Sequence, residues 1–78
     1  MKEWSGYRIA TLKKRGWTVI NVIRDKDDPR WRQLYDWLNQ DHPGQYYVDR
    51  TSRYHPTLGD WDFYFEDRKT AFEFALRS

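Results

Sequence analysis

Four carboxylates, Asp49, Asp60, Asp62 and Glu66, are the side chains in this sequence best spaced to act together. Asp60, Asp62 and Glu66 recur at even steps through one segment, so an extended backbone would turn them all to one face. Asp49 alternates in the same way within a second extended segment. Gathered oxygen donors of this kind suit a divalent cation. No glycine-rich loop and no spaced ligand motif accompanies them, so the expectation is a solvated acidic face without metal or cofactor. Asp67-x-Lys69 echoes the tail of a nuclease motif, but it stands where a helix should begin, and an anion there is a helix cap. His42 and His55 each precede a proline on separate loops, which makes them turn-flanking residues. With no convergent base, nucleophile or oxyanion donors, the sequence predicts a protein that is not an enzyme.

The basic residues offer a different chemistry. Lys13, Lys14 and Arg15 lie next to Trp17, and Arg50, Arg53, Tyr54 and His55 cluster in a polar connection. Meeting on one surface, they would make a basic aromatic patch for phosphates and stacked bases. Taken separately, the first group complements a helix C-terminus and the second keeps a loop in water.

Composition sets the limits. The 78 residues carry 14 Lys+Arg against 12 Asp+Glu, a net charge of +2. That excess is too small to mark a nucleic-acid binder and too positive for an acidic mimic of DNA. There is no cysteine, which removes thiol chemistry and zinc–thiolate sites and fits a reducing cytosol. No apolar run approaches a membrane span, and Met1-Lys2-Glu3-Trp4 does not open a signal peptide, so a soluble cytoplasmic protein is expected. A chain of this size has little room for a core, and five Trp, six Tyr and four Phe supply large burial units from few positions.

The elements follow from hydrophobic periodicity. Trp61, Phe63 and Phe65 alternate with Asp60, Asp62, Tyr64 and Glu66, predicting a strand over 60–66 with one buried and one wet face. Asp67 then caps a helix over 68–77, with Ala71, Phe72, Ala75 and Leu76 on one side. Residues 17–24 are rich in branched side chains on both faces, which predicts a central strand covered twice. Asp28-Pro29 starts a helix over 29–41, in which Trp31, Leu34, Tyr35 and Leu38 share a face; His42-Pro43-Gly44 stops it. Residues 45–50 form another strand, with Tyr46 and Val48 opposite Tyr47 and Asp49. Residues 6–15 read as a helix starting at Ser5 and closing at Lys13-Lys14-Arg15-Gly16, with a hairpin strand as the competing assignment. The connection over 51–59 is long and polar. Together these describe one domain of α+β class, a three-stranded sheet with helices on one face and an extra N-terminal helix or strand.

The order strand–helix–strand–strand–helix is most of a ferredoxin-like unit. Phe63-Tyr64-Phe65-Glu66-Asp67-Arg68-Lys69-Thr70-Ala71 resembles the third strand and second helix of an RNA-recognition motif. The resemblance implies the fold and argues against RNA, because the exposed positions of that strand are Leu58, Asp60, Asp62 and Tyr64. Aspartates stand where bases would stack. The C-terminal third, through Phe65, Ala71, Phe74, Leu76 and Arg77, is similar to small proteins of bacteriophage genomes, many of which modulate a host protein. That likeness implies an origin in a phage and a role in the host cytoplasm.

The aromatic excess is the remaining clue. Tyr47 and Tyr64 fall on the sheet face opposite the main core, Trp37 and Phe74 near the edges of their helices' apolar arcs, and Trp4 ahead of any element. Exposed Trp, Tyr and Arg make protein-binding hot spots; buried under the N-terminal segment or in a homodimer, the same residues would be core. The function expected is a non-enzymatic modulator of a host protein, possessing one contact surface of Tyr47, Asp49, Asp60, Asp62 and Tyr64 with Arg53 and Tyr54 beside it, in a monomer or homodimer. The alternative is a nucleic-acid-binding protein using Lys13, Lys14, Arg15, Arg50 and Arg53.

Overall fold

The computed structural model describes residues 1–6, 8–50 and 57–78. Their elements are β1 (Lys2–Glu3), α1 (Ile9–Lys14), β2 (Thr18–Asp25), α2 (Arg30–Leu38), β3 (Gln45–Asp49), β4 (Leu58–Phe65) and α3 (Arg68–Arg77). The class is α+β, with a mixed sheet in the order β1-β3-β4-β2. Four strands replace the three expected, because Lys2 and Glu3 pair in parallel with Gln45 and Tyr46. Two residues are too few to show a period in sequence.

The strand at the centre is β4. It runs antiparallel to β2 from Thr18↔Phe65 to Asp25↔Leu58, and antiparallel to β3 from Tyr46↔Phe65 to Asp49↔Asp62. The central position expected for residues 17–24 is therefore wrong: β2 is an edge strand. Only one end of its second face is covered, and Val19 and Ile23 remain 41% and 53% exposed.

The helices α2 and α3 bury the sheet face expected, but α3 does so through Thr70, Ala71 and Phe74; of the side expected for it, Phe72, Ala75 and Leu76 are exposed. Trp31, Leu34, Trp37 and Leu38 from α2 and Ala71 and Phe74 from α3 close over Val22, Tyr46, Val48, Phe63 and Phe65. Phe74 is the hub, its ring centroid 4.7 Å from Phe63 and 4.9 Å from Phe65, distances at which offset rings attract. Trp37 and Phe74, marginal on a helical wheel, are core. The start of α2 is held by Asp28, whose carboxylate accepts from the Arg30 amide at 2.9 Å and pairs with its guanidinium at 2.7 Å. Asp67 caps α3 as expected, accepting from the Thr70 amide at 2.8 Å and hydroxyl at 2.7 Å.

The N-terminal segment is a helix, shorter than residues 6–15 and without Ser5 as its cap. Its end explains its position. Gly16, at φ +75°, lets the Trp17 amide reach the Leu12 carbonyl at 3.1 Å and its own amide reach Lys13 at 3.1 Å. That pair of bonds is the glycine-closed helix end that brings the residues flanking it into apolar contact. Here they are Leu12 and Trp17, which bury Tyr64 between them and gather Trp4, Ile9 and Tyr47. A second small core thus sits on the far face of the sheet.

Candidate functional site

Beyond α1, the far face of the sheet is only partly covered. Antiparallel register places Val19 beside Tyr64, Asn21 beside Asp62 and Ile23 beside Asp60. Tyr47 and Asp49 lie beside Tyr64 and Asp62 on the other flank. At one end of this face the residues are buried under α1; at the other they form a strip of Val19, Asn21 and Ile23 along acidic neighbours.

Asn21 organises that strip. Its Nδ2 donates at 2.7 Å to Asp60 Oδ1 and at 2.7 Å to Asp62 Oδ1. One neutral amide thereby holds two carboxylates two residues apart on β4, where like charges on one face would otherwise push apart. Asp60 is 3% exposed, Asp62 is half-buried and Asn21 is exposed. Sequence reasoning missed Asn21. Its signal was a single amide in Val19-Ile20-Asn21-Val22-Ile23, the one polar interruption of a run of branched residues.

The contact surface expected from the sequence is only partly assembled. Asp49, Asp60 and Asp62 share one end of the face. Tyr64 is 3% exposed beneath Leu12 and Trp17, and Tyr47 is half-buried against it with ring centroids 6.2 Å apart. Both tyrosines belong to the second core, because the N-terminal helix folds over them. Asp60, too, is a buried hydrogen-bond acceptor instead of a projecting contact. Arg53 and Tyr54, like His55, lie outside the described residues. Glu66 leaves the acidic group: it stands past the end of β4 and accepts from the Gln45 amide at 3.1 Å. Among the described residues, no group of three or more His, Cys, Asp or Glu side chains could hold a metal ion.

The described basic residues do not converge. Lys13, Lys14 and Arg15 end α1 on the far face, with the Arg15 guanidinium 5.2 Å from the Trp4 ring centroid. Arg50 follows β3 and turns to the α2 side, donating from Nε to the Tyr35 hydroxyl at 3.0 Å and lying 3.9 Å from Glu3. The level of Arg50 is about four residues along the sheet from Thr18, roughly 13 Å at the rise of a strand. The sheet itself stands between them. Burial raises the Tyr35 hydroxyl above its ordinary pKa, and the adjacent Arg50 offsets part of that rise.

Most of the aromatic excess is structural. Of the described large apolar residues only Val19, Ile23, Phe72 and Leu76 are strongly exposed, the last two on the outer side of α3. Trp4 packs edge-on to Trp17 at 5.7 Å, and Trp61 lies 4.2 Å from Trp31. No described helix is long and apolar enough to cross a membrane.

Comparison with protein-family models, curated proteins and solved structures finds no match to this chain.

Proposed function

We propose that this chain is a small non-enzymatic protein-binding modulator, phage-encoded, that acts in the host cytoplasm by covering a basic site on a host protein. The observation that supports this best is the half-buried Asp62, held by Asn21 in front of the buried Asp60 and bordered by exposed Val19 and Ile23. Ordered acceptors beside exposed apolar side chains are what a protein interface uses for orientation and for burial, respectively. The target class follows from charge: a basic, apolar-rimmed site complements this strip, and a polyphosphate backbone is repelled by it. The strand–helix–strand–strand–helix order from β2 onward supports a ferredoxin-like scaffold to which β1 and α1 have been added.

The test uses tagged wild-type protein and the double variant Asp60→Asn, Asp62→Asn, each exposed to bacterial lysate with and without nuclease. The double variant keeps oxygen acceptors for Asn21 and removes only the charge. One host protein should be recovered at stoichiometric yield in both wild-type arms, less of it as salt rises, and little by the folded variant. Recovery abolished by nuclease would favour nucleic acid instead. Undiminished recovery by the folded variant would show that the target binds elsewhere.

A further inference from the structure

The outer edge of β2 is the longest unpaired strand edge among the described residues. Its eight residues contain no proline and no lysine, two of the devices that ordinarily stop one edge from joining another. Its one arginine, Arg24, is turned back over the helix layer, donating to the Ser78 carbonyl at 2.7 Å and lying 5.9 Å from the Trp31 ring centroid.

The direction of its peptide groups is fixed by its pairing with β4. The Lys26 amide donates to the Thr57 carbonyl at 2.7 Å, continuing the register that ends at Asp25↔Leu58. Peptide groups alternate sides along a strand. Residues 18, 20, 22 and 24 therefore bond inward to β4, and Val19, Asn21, Ile23 and Asp25 direct their N–H and C=O groups to the open edge.

The side chains of this edge are symmetric about Asn21. When two antiparallel copies of β2 pair with Asn21 against its equivalent, Val19 falls opposite Ile23 of the partner subunit on the far face. Ile20 falls opposite the partner's Val22 on the helix face. Both of these pairings are apolar on apolar, and Val19 and Ile23, 41% and 53% exposed in the single chain, cover each other twice. A shift of two residues sets Val19 opposite Asp25 and loses this match.

The flanks agree. Lys13, Lys14 and Arg15 precede the strand, and Asp25-Lys26-Asp27-Asp28, three carboxylates against one lysine with Asp28 paired to Arg30, end and follow it. Antiparallel pairing brings the basic flank of one copy to the acidic flank of the other at both ends. Parallel pairing would set like charge against like.

From the outward peptide groups, the apolar symmetry and the opposed flanks, we infer that a second copy of this chain pairs with β2 across a two-fold axis at Asn21, making one continuous eight-stranded sheet. Such an interface is isologous and closed, so it makes dimers and not fibres. It draws on the same Val19 and Ile23 that border the proposed host-binding face, so in the dimer the two acidic strips, joined into one surface, are what remains for a host target.

Light scattering coupled to size-exclusion chromatography tests the pairing. Wild-type protein should run at twice the 9.7 kDa mass of one chain. V19K/I23K sets lysine against lysine at both outer pairs and should run as a folded monomer. V19K/I23E sets lysine against glutamate in this register alone, and should restore a dimer that salt weakens. A monomeric wild type at the highest soluble concentration would overturn the inference, as would a dimer in V19K/I23K. Failure of V19K/I23E to dimerise while V19K/I23K is monomeric would overturn the register. A monomer that still captures a host protein would remove the dimer and leave the proposed function standing.

Discussion

Leu12→Ala should detach α1 without unfolding the rest of the molecule. Helix α1 has six residues, far below the length at which a helix is stable alone. It is held by one small cluster, in which Leu12 is 1% exposed between Trp17 and Tyr64. Removing a buried leucine side chain costs about 2–5 kcal/mol, less where neighbours can collapse into the gap. This cluster is open on its outer side, so the lower part of that range applies, about 2–3 kcal/mol. Ordering six residues opposes docking by about 1–2 kcal/mol each, so the net free energy holding α1 is only a few kcal/mol. The substitution removes most of it. Tryptic cleavage within Lys13-Lys14-Arg15 should then become fast in native buffer. The urea transition of the remaining sheet and helices should shift by less than the full loss, because a molecule with α1 already open has no more to lose at Leu12. Phe74→Ala is the contrast: Phe74 joins both helices to β4, and its loss of about 3–5 kcal/mol should appear whole, in one transition. The reasoning fails if the Leu12 variant resists trypsin at that run and loses its full stability in one coincident transition.

Gly16→Ala meets no atom within 4 Å of the added carbon, so its cost is backbone strain alone at φ +75°, about 1 kcal/mol, read as a lower denaturation midpoint. Asn21→Ala withdraws the donor from a carboxylate that is 3% exposed and should cost about 1.5–3 kcal/mol, a loss visible in urea denaturation; an unchanged midpoint would mean that the two bonds contribute nothing. Hydrogen bonds and charge from Arg30 lower the Asp28 carboxyl from 3.8 to about 2. A lowered carboxyl stabilises the fold above its unfolded pKa and loses that contribution as acid protonates it. Thermal stability should therefore fall from pH 3.8 towards about 2, and less steeply in Asp28→Asn; superimposable acid limbs would refute it.

What the sequence disclosed was whatever repeats along one element. Trp31, Leu34, Tyr35 and Leu38 recur with helical spacing, and Trp61, Phe63 and Phe65 alternate along a strand, so α2, β4 and the face they share are legible in the sequence. Position within the sheet was not. Branched residues on both faces suit an edge strand whose second face is partly covered as well as they suit a central one, and the choice depends on which strand finds two partners. Tyr64 misled for the same reason: alternation places it on the second face and cannot say that Leu12 will lie upon it. The acidic site was half legible. Its carboxylates follow from alternation, whereas Asn21 reaches them across 39 and 41 residues of chain.

That cross-strand bond bears on how the protein could act. Asp60, Asp62 and Asp49 concentrate negative charge at one end of the far face in a chain whose net charge is positive. Lys13, Lys14 and Arg15 end α1 at the other end of the same face. Under the proposed function these carboxylates would steer a basic target before contact and help to hold it afterwards. Affinity draws on the apolar border as well, on Val19 and Ile23, which gain only when water is excluded from them. The two roles are carried by adjacent strands, and Asn21 is the side chain that fixes one to the other. A substitution there should therefore disturb the carboxylates and the apolar border together, whereas neutralising the aspartates removes the charge alone.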